Sequence, residues 1–543
     1  MKNKIIQIKN SPIFGWKFLE RNGAVFWYKG YIYNNTFKDI FSFLEKIEFK
    51  EINNFVHELD GNFSFIFKNE VFTFATVDKI SSIPLFYYEQ NEKLIITPHV
   101  FLIKDIMNTE DIVSESVLSI SMSGYTIGNN TLIKKLKKIN CGEFFYYKHD
   151  NENYHLINFY HYLPANLEPD ENIESYKKKY IDKTIKVFQK LHQHSLSINK
   201  NIAISMSAGL DTRLIVSALK NIGAKNLIGF SYGLKNNSEA NAAKELCKYL
   251  DIPWKFSEFT NSKLNKIIKS KDFIEFRDKT DTYYSSSDYS DYFAIKELVE
   301  NSFLENSIVV NGHSGDFIAG GHMLNEFYIN DEKKDYLTNA AGAIIKKHFR
   351  LWSDLANFKN DSIIEKLLIE RMKLLNVNIK NNNQIFGIIE NIQLQERQSK
   401  HCLSRQRNYE NFNLDWALPL WDGEYLDFWE KIPFELKLNR AFYKNTMFDK
   451  NFCKVWSGKK WEKLNIDRKI KPWFLKMLRY SVKIFFLFSK KKWKIFDKKY
   501  FLYWIDICCG YSLVNYRRLV VSKRNFRGPM SWQARAYLKK KDL

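Results

Sequence analysis

Two short segments carry residue types suited to phosphate chemistry. The first is Ser205-Met206-Ser207-Ala208-Gly209-Leu210-Asp211-Thr212-Arg213; the second is Asn311-Gly312-His313-Ser314-Gly315-Asp316, with Gly320-Gly321 after it. Small residues leave the backbone N–H groups of such a loop open to a phosphate, and the hydroxyls of Ser205, Ser207 and Thr212 add donors around Gly209. Asp211 has no task on a phosphate, because two anions repel. Its sensible work is to hold a Mg²⁺ that bridges phosphate oxygens. Taken alone, the first segment also reads as an ordinary Ser/Gly-rich turn with an acid near a helix start. The second loop shifts that balance, since Asp316 offers another carboxylate and the two together can share one Mg²⁺. His313 between the glycines is a base near neutral pH if the fold leaves it solvated, or it hydrogen-bonds its own loop. Arg213 can reach a phosphate or a substrate carboxylate, or pair with an acid on its own helix.

These loops need strands that end where they begin. Residues 201–205 read as a buried strand, 213–221 as a helix, 227–231 as a strand and 238–250 as a helix, and an apolar run at 308–310 precedes the second loop. Such alternation predicts an α/β unit with a parallel sheet, where ligands collect beyond the carboxyl ends of the strands. From there through Trp429 the pattern is mainly helical. Upstream, residues 24–148 show short strand-like runs at 25–28, 63–67, 71–77, 84–88 and 94–97 separated by turn residues, which predicts a mostly antiparallel sheet domain. Residues 164–172 are polar, hold two prolines and precede a helix at 173–197, so they make the best linker.

With 543 residues, 45% of them hydrophobic and 16% aromatic, the chain is too long for one core and too apolar for disorder. Its net charge of +22 is unevenly placed: residues 451–543 hold 25 Lys and Arg against 5 Asp and Glu. Six cysteines without a repeated spacing fit a reduced compartment. No leader-like h-region and no apolar run of membrane-spanning length occur, so a cytoplasmic chain is expected. In the tail, Phe474, Met477, Leu478, Ser481, Ile484, Phe485 and Phe488 form a stripe at helical spacing, with Lys476, Arg479, Lys483 and Lys490 opposite. Such a helix lies on an anionic membrane surface or packs its stripe on the rest of the chain. Nucleic acid is not expected, because no reader motif accompanies the charge.

Taken together the motifs resemble the asparagine synthetase family. Ser207-Ala208-Gly209-Leu210-Asp211-Thr212 is similar to its Ser-Gly-Gly-Leu-Asp-Ser loop, Gly229-Phe230-Ser231 to its adenine-contacting strand, Gly312 to Gly321 to its Gly-Glu-Gly-Ser-Asp-Glu segment, and Leu418-Pro419-Leu420-Trp421-Asp422 to its Pro-Phe-Leu-Asp segment. In the N-terminal half Lys29-Gly30-Tyr31-Ile32-Tyr33-Asn34 resembles Asn-Gly-Glu-Ile-Tyr-Asn, and Leu59 to Phe65 and Val77-Asp78 resemble further strands of the family. The resemblance covers residues 20–440. It implies an α+β glutaminase-like (Ntn-type) sandwich over residues 1–163, an adenine-nucleotide alpha-hydrolase-like synthetase domain over 173–450, and a basic helical extension over 451–543.

By resemblance, Asp211 and Asp316 are catalytic and ligate Mg²⁺; His313, which departs from the Glu or Tyr that the family places there, is expected as a further catalytic residue that handles the amine or carboxylate substrate. Ser205, Ser207, Gly209, Thr212, Phe230, Ser231 and Gly312 bind ATP or pyrophosphate; the family's pyrophosphate-binding Lys has no aligned position here, and Lys459 and Lys460, in a Gly-containing loop, are its candidates with Lys444. Glu239 and Arg213 bind substrate. The implied reaction is AMP-forming amide ligation of ammonia or an amine to a carboxylate-bearing small molecule or sugar, with surface polysaccharide assembly as one setting for it. The rivals are asparagine synthesis from ammonia and a non-catalytic nucleotide-binding scaffold. Three departures remove the family's glutaminase chemistry: Lys2 stands where it has a catalytic Cys, Tyr31 where it has Glu, and Val77 where it has Arg.

Overall fold

In a computed structural model the chain is described at residues 5–90, 92–150, 153–164, 172–322, 335–377, 382–458, 461, 473–501, 516–522 and 524–543. The N-terminal strands form two sheets, mostly antiparallel. β2 (Lys17–Arg21), β3 (Ala24–Ile32), β4 (Gly61–Lys68), β5 (Phe72–Val77), β9 (Glu143–Lys148) and β10 (His155–Asn158) pair antiparallel in the order β10-β9-β5-β4-β3-β2. β1 (Ile5–Ile8), β6 (Phe86–Gln90), β7 (Lys93–Thr97) and β8 (Leu136–Lys138) make the second sheet, β1-β7-β6-β8, in which β1 runs parallel to β7. The central strands β4 and β5 are buried on both faces. The Phe37–Leu44 helix covers one of them, with Phe41 stacked 5.5 Å from Phe26, and the second sheet covers the other, with Tyr87 5.8 Å from Phe145. Double coverage explains why these strands read as continuous apolar runs and not as alternation.

Residues 165–171 of the expected linker lie outside the described residues. Asn172 accepts from the Ser175 N–H at 2.8 Å and caps the Ile173–Ser197 helix. Beyond it five strands pair in parallel in the order β13-β12-β11-β14-β15: β11 (Asn201–Ser205), β12 (Leu227–Gly233), β13 (Trp254–Glu258), β14 (Ser307–Val310) and β15 (Asp415–Ala417). The mainly helical expectation after residue 250 misses β13 and β15, which are short edge strands with little pattern to read. Strand order reverses between β11 and β14, and each is followed by one of the two phosphate-type loops. That switch point is where an open α/β sheet leaves a crevice.

The N-terminal sheets and the parallel sheet share one continuous apolar core, sealed by buried polar contacts. Lys29 of β3 pairs with Glu410 at 2.6 Å; Glu410 also takes Arg407 at 2.7 Å and the Trp416 indole N–H at 2.9 Å, while Arg407 donates to the Ser82 carbonyl at 3.0 Å. Burial drags Lys29 down to about 7, Glu410 opposes that and Arg407 adds to it. The C-terminal extension divides in two. Leu519, Phe526, Trp532, Tyr537 and Leu538 join a core cluster with Phe86 and Tyr88, whereas residues 473–501 form a hairpin of two helices whose outer side is exposed. No helix among the described residues is long and apolar enough to cross a membrane.

Removing Glu410 strands two buried cations, so Glu410→Ala is expected to cost about 3–5 kcal/mol in chemical denaturation. A loss below about 1 kcal/mol would show that the junction does not rest on this cluster.

Candidate active site at the sheet switch point

The Leu210–Asn221 helix starts at Gly209 with no side chain capping its first N–H groups. Unspent donors at a helix start attract an anion. The loop before it closes on itself: Ser207 Oγ accepts from the Gly209 N–H at 3.1 Å and lies 3.3 Å from Thr212 Oγ1. Ser205 ends β11 at the mouth of this loop.

The loop after β14 crosses the first one closely. The Asp316 N–H donates to Asp211 Oδ2 at 3.1 Å. Glycines permit the approach: a Cβ on Gly312 would sit 3.0 Å from Asp211 Cβ, and one on Gly315 would sit 2.9 Å from Asp211 Cγ and 2.6 Å from Leu420 Cδ1. Asn311 fixes the base of the loop by accepting the His313 N–H at 3.2 Å, and Ser314 donates to Gln398 at 2.6 Å.

The two carboxylates have opposite electrostatics. Burial, then the charge of Asp316, pushes Asp211 up to about 7 against the pull of Arg440. Burial also works to raise Asp316, but the hydrogen bond from His322 at 3.1 Å and the charges of Arg440 and Arg397 outweigh it and hold it at about 2. The pair therefore holds a proton up to higher pH than two separate carboxylates would. Asp211 Oδ1 is buried and, among the described residues, makes no hydrogen bond; Arg440 lies 3.9 Å from it. An orphaned carboxylate oxygen beside a second carboxylate suits Mg²⁺, which takes one or two protein carboxylates and fills its other positions with water and phosphate oxygens. Among the described residues no larger cluster of metal-ligating side chains occurs.

Several expected residues sit differently. Burial first, then Arg405, lowers His313 to about 3, so its ring is neutral and is no base of near-neutral strength; its buried Nδ1 has no hydrogen-bond partner. Arg213 is turned into the interior, where its guanidinium lies 5.8 Å from the Trp456 ring centre, and it does not face the cleft. The Phe230 side chain is wholly buried and cannot stack on a base, which leaves only its backbone; Ser231 spends its hydroxyl on the Met206 carbonyl at 2.8 Å. Glu239 is exposed in the first turn of the Ser238–Tyr249 helix, and no hydrogen bond or ion pair joins it to Asp211 or Asp316. Lys459 and Lys460 lie outside the described residues. Lys444 donates to the Asn439 carbonyl at 2.9 Å.

The cation that does face Asp211, Arg440, is absent from the sequence reading. Its signal was the pair Gly320-Gly321: a Cβ on Gly320 would meet the Lys437 carbonyl at 2.2 Å, and one on Gly321 would meet Arg440 Cδ at 3.1 Å. Those glycines admit the segment that carries the arginine. Tyr443, on the following helix, stands beside both Asp211 and Arg213.

Residues 192–448 match the asparagine synthase family model. No curated protein sequence matches the chain. Among solved structures, an NH3-dependent NAD synthetase from Campylobacter jejuni aligns at 15% identity over 41% of this chain and 94% of its own, with a TM-score of 0.21. The glutamine phosphoribosylpyrophosphate amidotransferase of B. subtilis aligns at 12% identity over 55% of this chain and 63% of its own, with a TM-score of 0.19. A third structure, described as the allosteric regulatory enzyme of purine biosynthesis, aligns at 10% identity over 44% of this chain and 61% of its own, at 0.18. Scores this low leave the fold argument to the strand order itself.

Because Asp211 is raised above its unfolded value near 3.9, the stability it contributes is full below about pH 4 and is lost as pH rises through about 7. Asp211→Asn, fixed as neutral, is expected to be more stable than the native chain by about 2–4 kcal/mol at pH 8 without divalent cation, with no gain at pH 4. Denaturant titrations at the two pH values measure this, and Mg²⁺ should stabilise only the native chain.

Proposed function

Since residues 192–448 belong to the asparagine synthase family, we propose that the chain is an ATP-dependent, AMP-forming ligase that joins ammonia or an amine to a carboxylate. The observation that carries this is the Asp211–Asp316 contact at the switch point, beside a helix start with unspent N–H donors. In this reading the uncapped helix start and the hydroxyls of Ser207 and Thr212 hold the phosphates, and the backbone at Phe230 meets the base. Mg²⁺ on Asp211 and Asp316 would neutralise phosphate charge. Arg440 faces the same oxygens and offsets the charge of the leaving pyrophosphate.

The acceptor carboxylate oxygen attacks the α-phosphorus as the bond to pyrophosphate breaks. The amine nitrogen then attacks the acyl carbon, AMP leaves, and the nitrogen gives up a proton. His313, a neutral ring in this loop, orients the incoming amine; with a pKa near 3 it guides the nucleophile and does not carry the proton away.

The N-terminal sandwich is read as a glutaminase-like fold without glutaminase chemistry, occupying roughly residues 1–163 before a synthetase domain at 173–450. Tyr31, at the position of the family's Glu, spends its hydroxyl on Asn62 at 2.8 Å, and Asn62 in turn accepts the Leu418 N–H at 3.2 Å. What was a substrate strand braces the wall of the synthetase cleft. Nitrogen therefore comes from free ammonia or an amine, and an acidic sugar of a surface polysaccharide is one acceptor of the right chemistry.

ATP–pyrophosphate exchange against a panel of carboxylates that includes aspartate and uronic acid derivatives is expected to appear with one class and to vanish in Asp211→Ala and Asp316→Ala. His313→Ala is expected to keep exchange and lose about 10²-fold in amide formation. Exchange with aspartate alone would make the enzyme an asparagine synthetase; ATP binding without exchange on any carboxylate would leave a nucleotide-binding scaffold.

A further inference from the structure

Part of the C-terminal extension presents a surface that the catalytic reading does not use. The Trp473–Ile484 and Lys490–Tyr500 helices fold back on each other. Their inner side is held by rings, with Phe486 5.0 Å from Phe496 and 5.7 Å from Trp493, and by a two-pronged bond of Arg479 to Asp497. The outer side is apolar and bare. Phe485 is 86% exposed and Phe488 fully so, with Met477, Leu478, Ile484 and Leu487 all more than half exposed around them. Soluble chains seldom leave so many large apolar side chains together in water.

Between the second helix of this hairpin and the rest of the chain lies a cavity of about 530 Å³ whose charged lining is all basic: Lys494 and Lys499 from the hairpin, Lys346 and Arg350 from the body, and Arg524 and Arg527 from the last segment. Two acids face this set, Asp361 on Arg350 at 2.7 Å and Asp354 on Arg524 at 2.6 Å, so cations outnumber them. The floor is anchored: the Arg527 N–H donates to the Leu351 carbonyl at 2.8 Å, and Phe526 packs on Trp352 and Trp532.

We infer that the hairpin is a peripheral membrane anchor, its Ile484–Phe488 tip entering the interface of an anionic phospholipid surface while the basic cavity takes lipid phosphate. Charge selects this occupant. A second copy would bring the same excess of Lys and Arg, 25 against 5 in residues 451–543, against itself. Nucleic acid would satisfy the cavity but leave Ile484, Leu487 and Phe488 in water. An interface that is apolar in depth and negative at its surface satisfies both.

Co-sedimentation of the full chain with vesicles of phosphatidylglycerol and phosphatidylcholine tests this, against vesicles of phosphatidylcholine alone. Binding to the anionic vesicles and release by salt are expected. Phe485→Ser with Phe488→Ser should weaken binding about tenfold or more, and Lys494→Glu with Lys499→Glu by at least as much. Both double variants should keep the native melting temperature, which separates loss of the surface from loss of the fold. Three results would overturn the inference: no binding to anionic vesicles; equal binding to neutral ones; or a dimer in light scattering that Phe485→Ser with Phe488→Ser dissolves. Binding of pyrophosphate or RNA without vesicle binding would equally reject a lipid surface. None of these readouts depends on the proposed ligase activity.

Discussion

The N–H of Asp316 on the carboxylate of Asp211 is the contact around which the rest of the molecule is arranged. It joins the ends of two adjacent parallel strands whose helices leave on different sides of the sheet, so it exists only at a switch point. It requires two loops to approach more closely than side chains allow, hence Gly312 and Gly315. It also puts two carboxylates together inside the protein, which costs free energy that burial makes worse. The ligand-free site lowers that cost by protonating Asp211 and by surrounding Asp316 with His322, Arg440 and Arg397.

A strained site needs a stiff frame, and much of the frame comes from the N-terminal sheets. The wall beside Gly315 is Leu420, within the segment that follows β15. That segment is pinned by Asn62 on the Leu418 N–H and by Lys190, which bridges Asp422 and Asp60. Asp60 also accepts the Gly423 N–H at 3.3 Å. Burial and the neighbouring Asp60 raise Asp422 to about 6, opposed by Lys190, so the bridge is a compromise between desolvation and pairing. The N-terminal sheets therefore have a structural task whatever else they do: without them the cleft loses one of its sides.

Much of this was legible in residue order. The strand-to-helix alternation around residues 201–250 and the continuous apolar runs of β4 and β5 fixed element types, because periodicity reports burial directly. The phosphate-type loops were visible because their chemistry is local. What stayed hidden is tertiary. Nothing local says that Arg213 turns inward onto Trp456, that burial removes the basicity of His313, or that Arg440 comes to Asp211 from a segment far along the chain. β15 is three residues long and is defined by its neighbour β14, not by a pattern of its own. Arg440 was recoverable in principle, since paired glycines that end no turn of their own often mark where another backbone arrives.

Charge ties the two halves of the molecule together more than their composition suggests. The first 450 residues are nearly neutral, so a phosphate in the cleft would meet a few placed groups and not a field. Yet the basic extension reaches that cleft. Arg527 donates to the carbonyl of Lys347, Lys347 donates to the carbonyl of His322, and His322 holds Asp316. Burial, then Arg397 and Arg527, lowers Lys347 to about 8, so the extension already biases the charge of a residue two contacts from the Asp211–Asp316 pair. The wall of the basic cavity and the wall of the cleft are thus the same short stretch of chain, with Lys346 facing one and Lys347 the other. The extension is attached where the charge of Arg527 is felt by Lys347, whose ammonium donates to the carbonyl of the residue that holds Asp316.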